Sequence, residues 1–238
     1  MKKVYANLFV LLSLVVMVFA FSAPANAETN LTKEEKQNID RMTQSMEKMN
    51  TVSDEELVSE YKEKARDVLS SGKAKLTIDS EKLVYDDMKL VKMEVSEGNF
   101  AYVVASPVKV KGSHELSNAS LYFDDKGNFI TTSEFYLLKN EKGNFQILNY
   151  QDGEQKIKEN TDLKFETMAD YKDRIKLSKW DTDHLAKCLG ISAALAATIA
   201  SVCGVVCVIT VGLGCIACAA GVMGFNFGGT AECIRQSL

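Results

Sequence analysis

Residues 118–153 read NASLYFDDKGNFITTSEFYLLKNEKGNFQILNYQDG. Within them, Asp125-Lys126-Gly127-Asn128-Phe129 and Glu141-Lys142-Gly143-Asn144-Phe145 are near-copies sixteen residues apart, and Gln151-Asp152-Gly153 follows as a third polar break. Between the breaks lie runs of Phe, Tyr, Leu, Ile and Thr, residue types that fit a pleated, half-buried surface. Each break carries a glycine able to take the positive φ of a tight hairpin. Two copies are too few for a solenoid, so the repeat is read as hairpin turn chemistry. The same texture extends over residues 75–158, and an antiparallel β-meander is the simplest arrangement.

Upstream, Thr32-x-x-Glu35 and Ser53-x-x-Glu56 each match a capping box, in which a hydroxyl and a carboxylate satisfy free N–H groups at a helix start. The first predicted helix places Ile39, Met42, Met46 and Met49 on one stripe; the second does the same with Leu57, Tyr61, Ala65 and Val68. The methionines suit adaptable core filling. Ser70-Ser71-Gly72 is expected to end the second helix. The fold class expected is therefore α+β: N-terminal helices and an antiparallel β-meander, followed by a disulfide-rich hydrophobic α-helical hairpin.

At the N-terminus, residues 1–27 have the three zones of a secretory signal: Lys2 and Lys3, an apolar run over 4–21, and the small-residue site Ala25-Asn26-Ala27. Pro24 ends the apolar helix and leaves the site extended for a peptidase. Cleavage is expected between Ala27 and Glu28, which makes the chain secreted or otherwise extracytoplasmic. Removing a segment with two lysines and no acid takes the formal charge from −4 to −6. That acidic balance excludes nucleic acid as a partner on charge grounds.

Residue types then divide the remainder. Residues 28–160 form the expected helical plus β-meander domain, rich in Lys, Glu and Asp and without cysteine. Residues 161–187 are mixed and highly charged, including Asp170, Lys172, Asp173, Arg174, Lys176 and Lys179, with Trp180 near the end. They serve as a linker or as a solvated helix face, and the sequence alone does not separate the two.

Residues 188–238 hold all six cysteines, and 188–231 contain neither a charged residue nor a histidine. These 44 residues are twice the length of about 20 that one bilayer-spanning helix needs. Gly212-Leu213-Gly214 divides the run, so two helices joined by a turn are expected; small residues such as Gly190, Ala197, Gly204 and Gly221 allow their backbones to approach. The cysteine positions are nearly palindromic. Cys188 with Cys233 and Cys203 with Cys218 share one index sum, and Cys207 with Cys215 exceeds it by one. A hairpin in that register brings each pair to one height, and the outer pair lies about 22 Å from the next along both helices at 1.5 Å per residue. This nested set is one of the possible pairings, among which sequence does not choose.

Other chemistry for the module is weaker. Cys215-Ile216-Ala217-Cys218 has redox spacing, but no strand–helix context precedes it. With His114 and His184 as the only histidines, a zinc site has few ligands, so no metal and no cofactor are expected. The middle domain lacks G-x-S-x-G, H-E-x-x-H and Walker sequences, and no catalytic residue is assigned; His114, between Ser113 and Glu115, is expected at the surface. An apolar run of this kind must enter a membrane, self-associate or be covered. The preceding domain is the obvious cover.

Cys188-Leu189-Gly190-Ile191, Val202-Cys203-Gly204-Val205-Val206-Cys207, Gly214-Cys215-Ile216-Ala217-Cys218 and Glu232-Cys233-Ile234 resemble the microhalocin-like, halocin-type bacteriocin precursors. In that family an exported immunity region precedes a cysteine-rich hydrophobic peptide. The resemblance implies release of 188–238 by a processing protease, with cleavage expected at about 176–187, where the chain is charged and accessible. It implies a non-enzymatic peptide acting on the target-cell membrane, with its own N-terminal domain giving immunity or shielding. Two other readings are a membrane protein anchored by a C-terminal two-helix hairpin and an exported enzyme built on the middle domain.

Overall fold

The computed structural model describes residues 48–96 and 98–177, together with positions 32, 33, 37, 192, 194, 195, 198, 199 and 201–203. Residues Leu31–Leu238 form one compact unit and Met1–Asn30 another. The signal-cleavage residues Ala27 and Glu28 lie outside the described residues.

Seven strands form one sheet: Met49–Thr51 (β1), Lys89–Ser96 (β2), Asn99–Pro107 (β3), Asn118–Asp124 (β4), Phe129–Lys139 (β5), Asn144–Gln151 (β6) and Glu154–Lys164 (β7). Their spatial order is their chain order and every pairing is antiparallel, as a meander requires. Two helices accompany it, Glu55–Ser70 (α1) between β1 and β2 and Met168–Leu177 (α2) after β7. The described region is thus α+β with an antiparallel sheet.

The hairpin breaks owe their likeness to one side chain before each. Asp124 Oδ1 accepts from the N–H groups of Lys126 and Asn128 at 2.9 and 2.7 Å, and sixteen residues on Asn140 Oδ1 accepts from Lys142 and Asn144, both at 2.9 Å. Such local bonds replace ladder bonds at a turn. The third turn differs: Asp152 and Gly153 have φ of 50° and 77°. Two successive positive-φ residues follow the twist of the flanking strands, which suits a two-residue hairpin loop.

In α1 the expected stripe is the packed one, with Tyr61, Ala65 and Val68 buried and Leu57 partly so. The helix ends as expected, with Ser71 at the C-cap and Gly72 at φ 69°. Its start is corrected by one residue. Asp54 rather than Ser53 is the N-cap, its Oδ1 accepting from the Leu57 N–H at 3.1 Å. A carboxylate caps as well as a hydroxyl and adds charge that favours the positive helix end, beside Glu55 and Glu56.

Met49 corrects a second expectation. It closes no helical stripe but begins β1, opposite Met93, while Thr51 lies opposite Val91. The Glu94 N–H also donates to the Lys48 carbonyl. Pairing with a strand more than forty residues later outweighs a local periodicity that one methionine happened to extend. Lys33 and Gln37 are helical; Ile39, Met42 and Met46 lie outside the described residues.

Strand texture was expected from residue 75, yet 75–88 hold two 3-10 turns, Ser80–Lys82 and Tyr85–Asp87. Asp and Ser are poor strand formers and common in turns, and Asp79, Ser80, Asp86 and Asp87 cluster here. At the far end the sheet outruns its expected limit. β7 continues to Lys164 and α2 follows, so residues 161–164 and 168–177 of the stretch read as linker are strand and helix.

Both faces of the middle of the sheet are buried, as the near-continuous burial of β4 and of the middle of β5 makes plain, whereas β7 is exposed. On the first face α1 packs with Leu90, Val104, Leu121, Phe123, Tyr136 and Leu148. Tyr61 stands edge-on to Phe123 with ring centroids 5.6 Å apart. Burying side chains of this size stabilises by roughly 1.5–3 kcal/mol each.

Candidate functional site

Strand alternation sends the residues between those of the first face to the opposite side. Val91, Val103 and Tyr122 adjoin across β2, β3 and β4, and Leu137 adjoins Ile147 across β5 and β6. All five are fully buried, as is Phe135. α1 packs on the other side of the sheet.

This second face mixes polar groups into its apolar surface. Asn118 and Asn149 flank Phe135 on the neighbouring strands. The Asn149 Nδ2 donates to Ser133 Oγ at 3.2 Å and to the Glu134 carbonyl at 3.1 Å, while its Oδ1 is buried with no hydrogen bond among the described residues. The Tyr122 hydroxyl is in the same state, and burial holds its phenol well above the usual pKa. Native interiors leave few such groups, since each unpaired one costs roughly 1–3 kcal/mol.

His114 sits at the rim of this face and is buried, with 1% of its surface exposed, which corrects the surface position expected for it. Its N–H donates to the Leu137 carbonyl at 2.8 Å, and its ring lies edge-on to Phe145 and Phe165. Nδ1 accepts from the Leu116 N–H at 3.1 Å. The proton of the neutral ring therefore belongs on Nε2. That atom has no hydrogen-bond partner among the described residues, although a Glu115 oxygen lies 3.6 Å away. Burial lowers the His114 pKa from 6.5, against the opposing pull of Glu115 and Glu166. Glu115 also reaches α2, both oxygens accepting from the Met168 N–H at 3.3 Å.

Of the six cysteines, Cys203 is the one described. It is disulfide-bonded, helical and fully buried. Leu195 and Ile199, eight and four residues before it, are buried too, whereas Ala194, Thr198, Ser201 and Val202 are half-buried. Four-residue spacing puts Leu195, Ile199 and Cys203 on one helix face. Cys188, Cys207, Cys215, Cys218 and Cys233 lie outside the described residues, and with them the pairings proposed above.

Among the described residues no group of three or more His, Cys, Asp or Glu side chains is placed to hold a metal ion. None of the helices there is long and apolar enough to cross a membrane. A depression of about 240 Å³ at the β1–β2 edge is lined by Lys48, Asn50, Lys92, Glu94 and Phe100. Its Lys92 ammonium stands 3.8 Å from the centre of the Phe100 ring, a cation–π contact. The two features with the chemistry of recognition are the second sheet face and the Cys203 stripe. Sequence reading missed the first, though the run Tyr102-Val103-Val104-Ala105, apolar at consecutive positions, carries the signal of a strand buried on both sides.

No family model matches the chain, and no curated protein or solved structure matches it.

Proposed function

We propose that this chain is a secreted bacteriocin precursor. Its C-terminal module, 188–238, is released by a processing protease and acts on the membranes of competing cells, while the meander domain gives immunity or shielding. The observation that carries this reading is Cys203, a disulfide-bonded cysteine on a buried helical stripe with Leu195 and Ile199. An ordinary membrane anchor rarely needs such a cross-link. A small apolar peptide that must survive outside a cell does, because closing the chain into loops restricts its unfolded states.

The chemistry follows from composition. Residues 188–231 bring no charge to a membrane surface, so insertion is driven by burial of aliphatic side chains rather than by attraction to anionic lipid. The module needs no cofactor. The test is dye release from lipid vesicles by the oxidised 188–238 peptide. Release that is similar from zwitterionic and anionic vesicles, and weakened by reduction of the disulfides, supports the reading; an inert oxidised peptide refutes it.

A further inference from the structure

We propose that His114 is a proton-operated latch on α2. With the ring neutral, Glu115 holds the first turn of α2 to the sheet; protonation of the ring draws Glu115 away and lets residues 165–177 lift. This goes beyond the proposed function and does not rest on it.

The neutral ring is built into the turn that carries it. Nδ1 accepts from the Leu116 N–H, while the backbone of His114 is bonded on one side to the Leu137 carbonyl and on the other to the Ser117 N–H. A second proton has to enter at Nδ1, where it meets the Leu116 N–H donor to donor. Two charged groups act on the ring, Glu115 from its own turn and Glu166 from the segment between β7 and α2. β5 and β6 present Leu137 and Phe145 to it, and Phe165 brings no charge either. Against both carboxylates burial still prevails, and the pKa lies below 6.5. By linkage, acid favours whatever opening brings the ring to water.

The segment that opens at least cost is 165–177. Leu137 and Phe145 belong to the buried sheet, whereas Phe165 and α2 follow β7, an exposed edge strand. The segment is tied back by the Phe165 N–H on the Gly143 carbonyl, by buried Tyr171 and by Glu115. At the start of α2, Thr167 and Asp170 satisfy each other's N–H groups, and Glu115 is the acceptor for the Met168 N–H. One carboxylate cannot serve both the ring and the helix. To pair with an imidazolium, Glu115 closes from 3.6 Å toward about 2.8 Å. Its bonds to Met168, already long at 3.3 Å, are then given up. The side chain is 47% exposed and has room to swing. The imidazolium also adds positive charge near the positive end of α2. α2 runs to Leu177, inside the 176–187 stretch where cleavage is expected, so lifting it presents the start of that stretch to a protease.

The test is amide hydrogen exchange of the oxidised full chain at about pH 7.5 and about pH 5, each rate divided by the intrinsic rate at that pH so that protection alone is compared. In the native protein the protection of 168–177 is expected to fall at least about tenfold on acidification, as loss of a hydrogen bond to a charged group implies, while β4 keeps its own. His114→Asn does not titrate and should hold α2 equally at both pH values. Glu115→Gln keeps an acceptor for the Met168 N–H but is not drawn to an imidazolium, so its loss should be smaller than the native one. Equal protection of α2 at both pH values in the native protein overturns the latch. So does a loss in either variant as large as the native loss, or a loss in β4 that accompanies the one in α2, since the opening is then global. These readouts lie in the sheet and α2, so a released module that inhibits no cell sinks the bacteriocin reading and leaves the latch standing.

Discussion

Both carboxylate oxygens of Glu134, buried in the middle of β5, accept from the N–H of Thr77, at 2.9 and 3.1 Å, and one also accepts from the Thr77 hydroxyl at 2.8 Å. The Tyr136 hydroxyl donates to the same group at 2.5 Å. Among the described residues no cation is paired with it, and these hydrogen bonds hold the buried carboxylate. They fasten the segment after α1 onto the first face, where the Thr132 hydroxyl also donates to the Lys75 carbonyl at 2.8 Å. Glu134→Ala leaves the buried Tyr136 hydroxyl without its acceptor and frees the Thr77 N–H and hydroxyl from the sheet. The expected loss is about 3 kcal/mol, since bonds to charged groups contribute roughly 1.5–3 kcal/mol and orphaned partners add to the cost. Urea denaturation measures it, and Tyr136→Phe, which removes one donor, should lose less.

His114 makes stability depend on pH. Its folded pKa is lowered from 6.5 by burial, so between the two values the unfolded chain binds the extra proton and the folded chain does not. The contribution is fully present above 6.5 and is lost as pH falls through the window below it. Protonation also turns Nδ1 into a donor facing the Leu116 N–H. Thermal unfolding at about pH 7.5 and about pH 5 should show a larger drop for the native protein than for His114→Asn, which keeps an acceptor and does not titrate. Equal drops would mean that His114 is not the group responsible.

At the start of α1 the two candidate caps predict different outcomes. Asp54→Ala removes the side chain that bonds to the Leu57 N–H and should cost about 1 kcal/mol. Ser53→Ala, outside the cap, should stay within about 0.5 kcal/mol of the native protein. A reversed order in denaturant titrations would restore Ser53 as the cap.

The β6–β7 turn separates conformational from bonding contributions. Gly153→Ala places a methyl at φ 77°, with the nearest neighbour, Lys75 Cβ, at an ordinary 3.6 Å. Only backbone strain of roughly 1–2 kcal/mol is expected. Asp152→Gly relieves a positive φ but gives up acceptance from the Thr131 hydroxyl at 2.8 Å and the Thr132 N–H at 3.0 Å. It should nonetheless destabilise, as chemical denaturation of both variants would show.

The parts legible in sequence are those fixed by neighbours along the chain. The glycine breaks announced the hairpins, and Leu57, Tyr61, Ala65 and Val68 announced the packed face of α1. What escaped depends on distant partners. Met49 looks helical until Met93 pairs with it, and Thr77 sits in strand-like texture until Glu134 captures its N–H. His114 reads as a turn residue because neither Phe145 nor Phe165 is near it in sequence. The Cys203 bond shows the same limit: a cysteine's spacing is visible, and its partner is a property of the fold.

The central claim is that the C-terminal module is set free to act on other cells. Mass spectrometry of the producer's culture medium, with a growth-inhibition assay on the same fractions, tests it most directly. The account predicts a fragment beginning after the charged 176–187 stretch, lighter by the six thiol hydrogens of its six cysteines, and co-eluting with inhibition of related cells that lack the meander domain. An intact chain retained with the cells, together with a purified module that inhibits none of them, would contradict it.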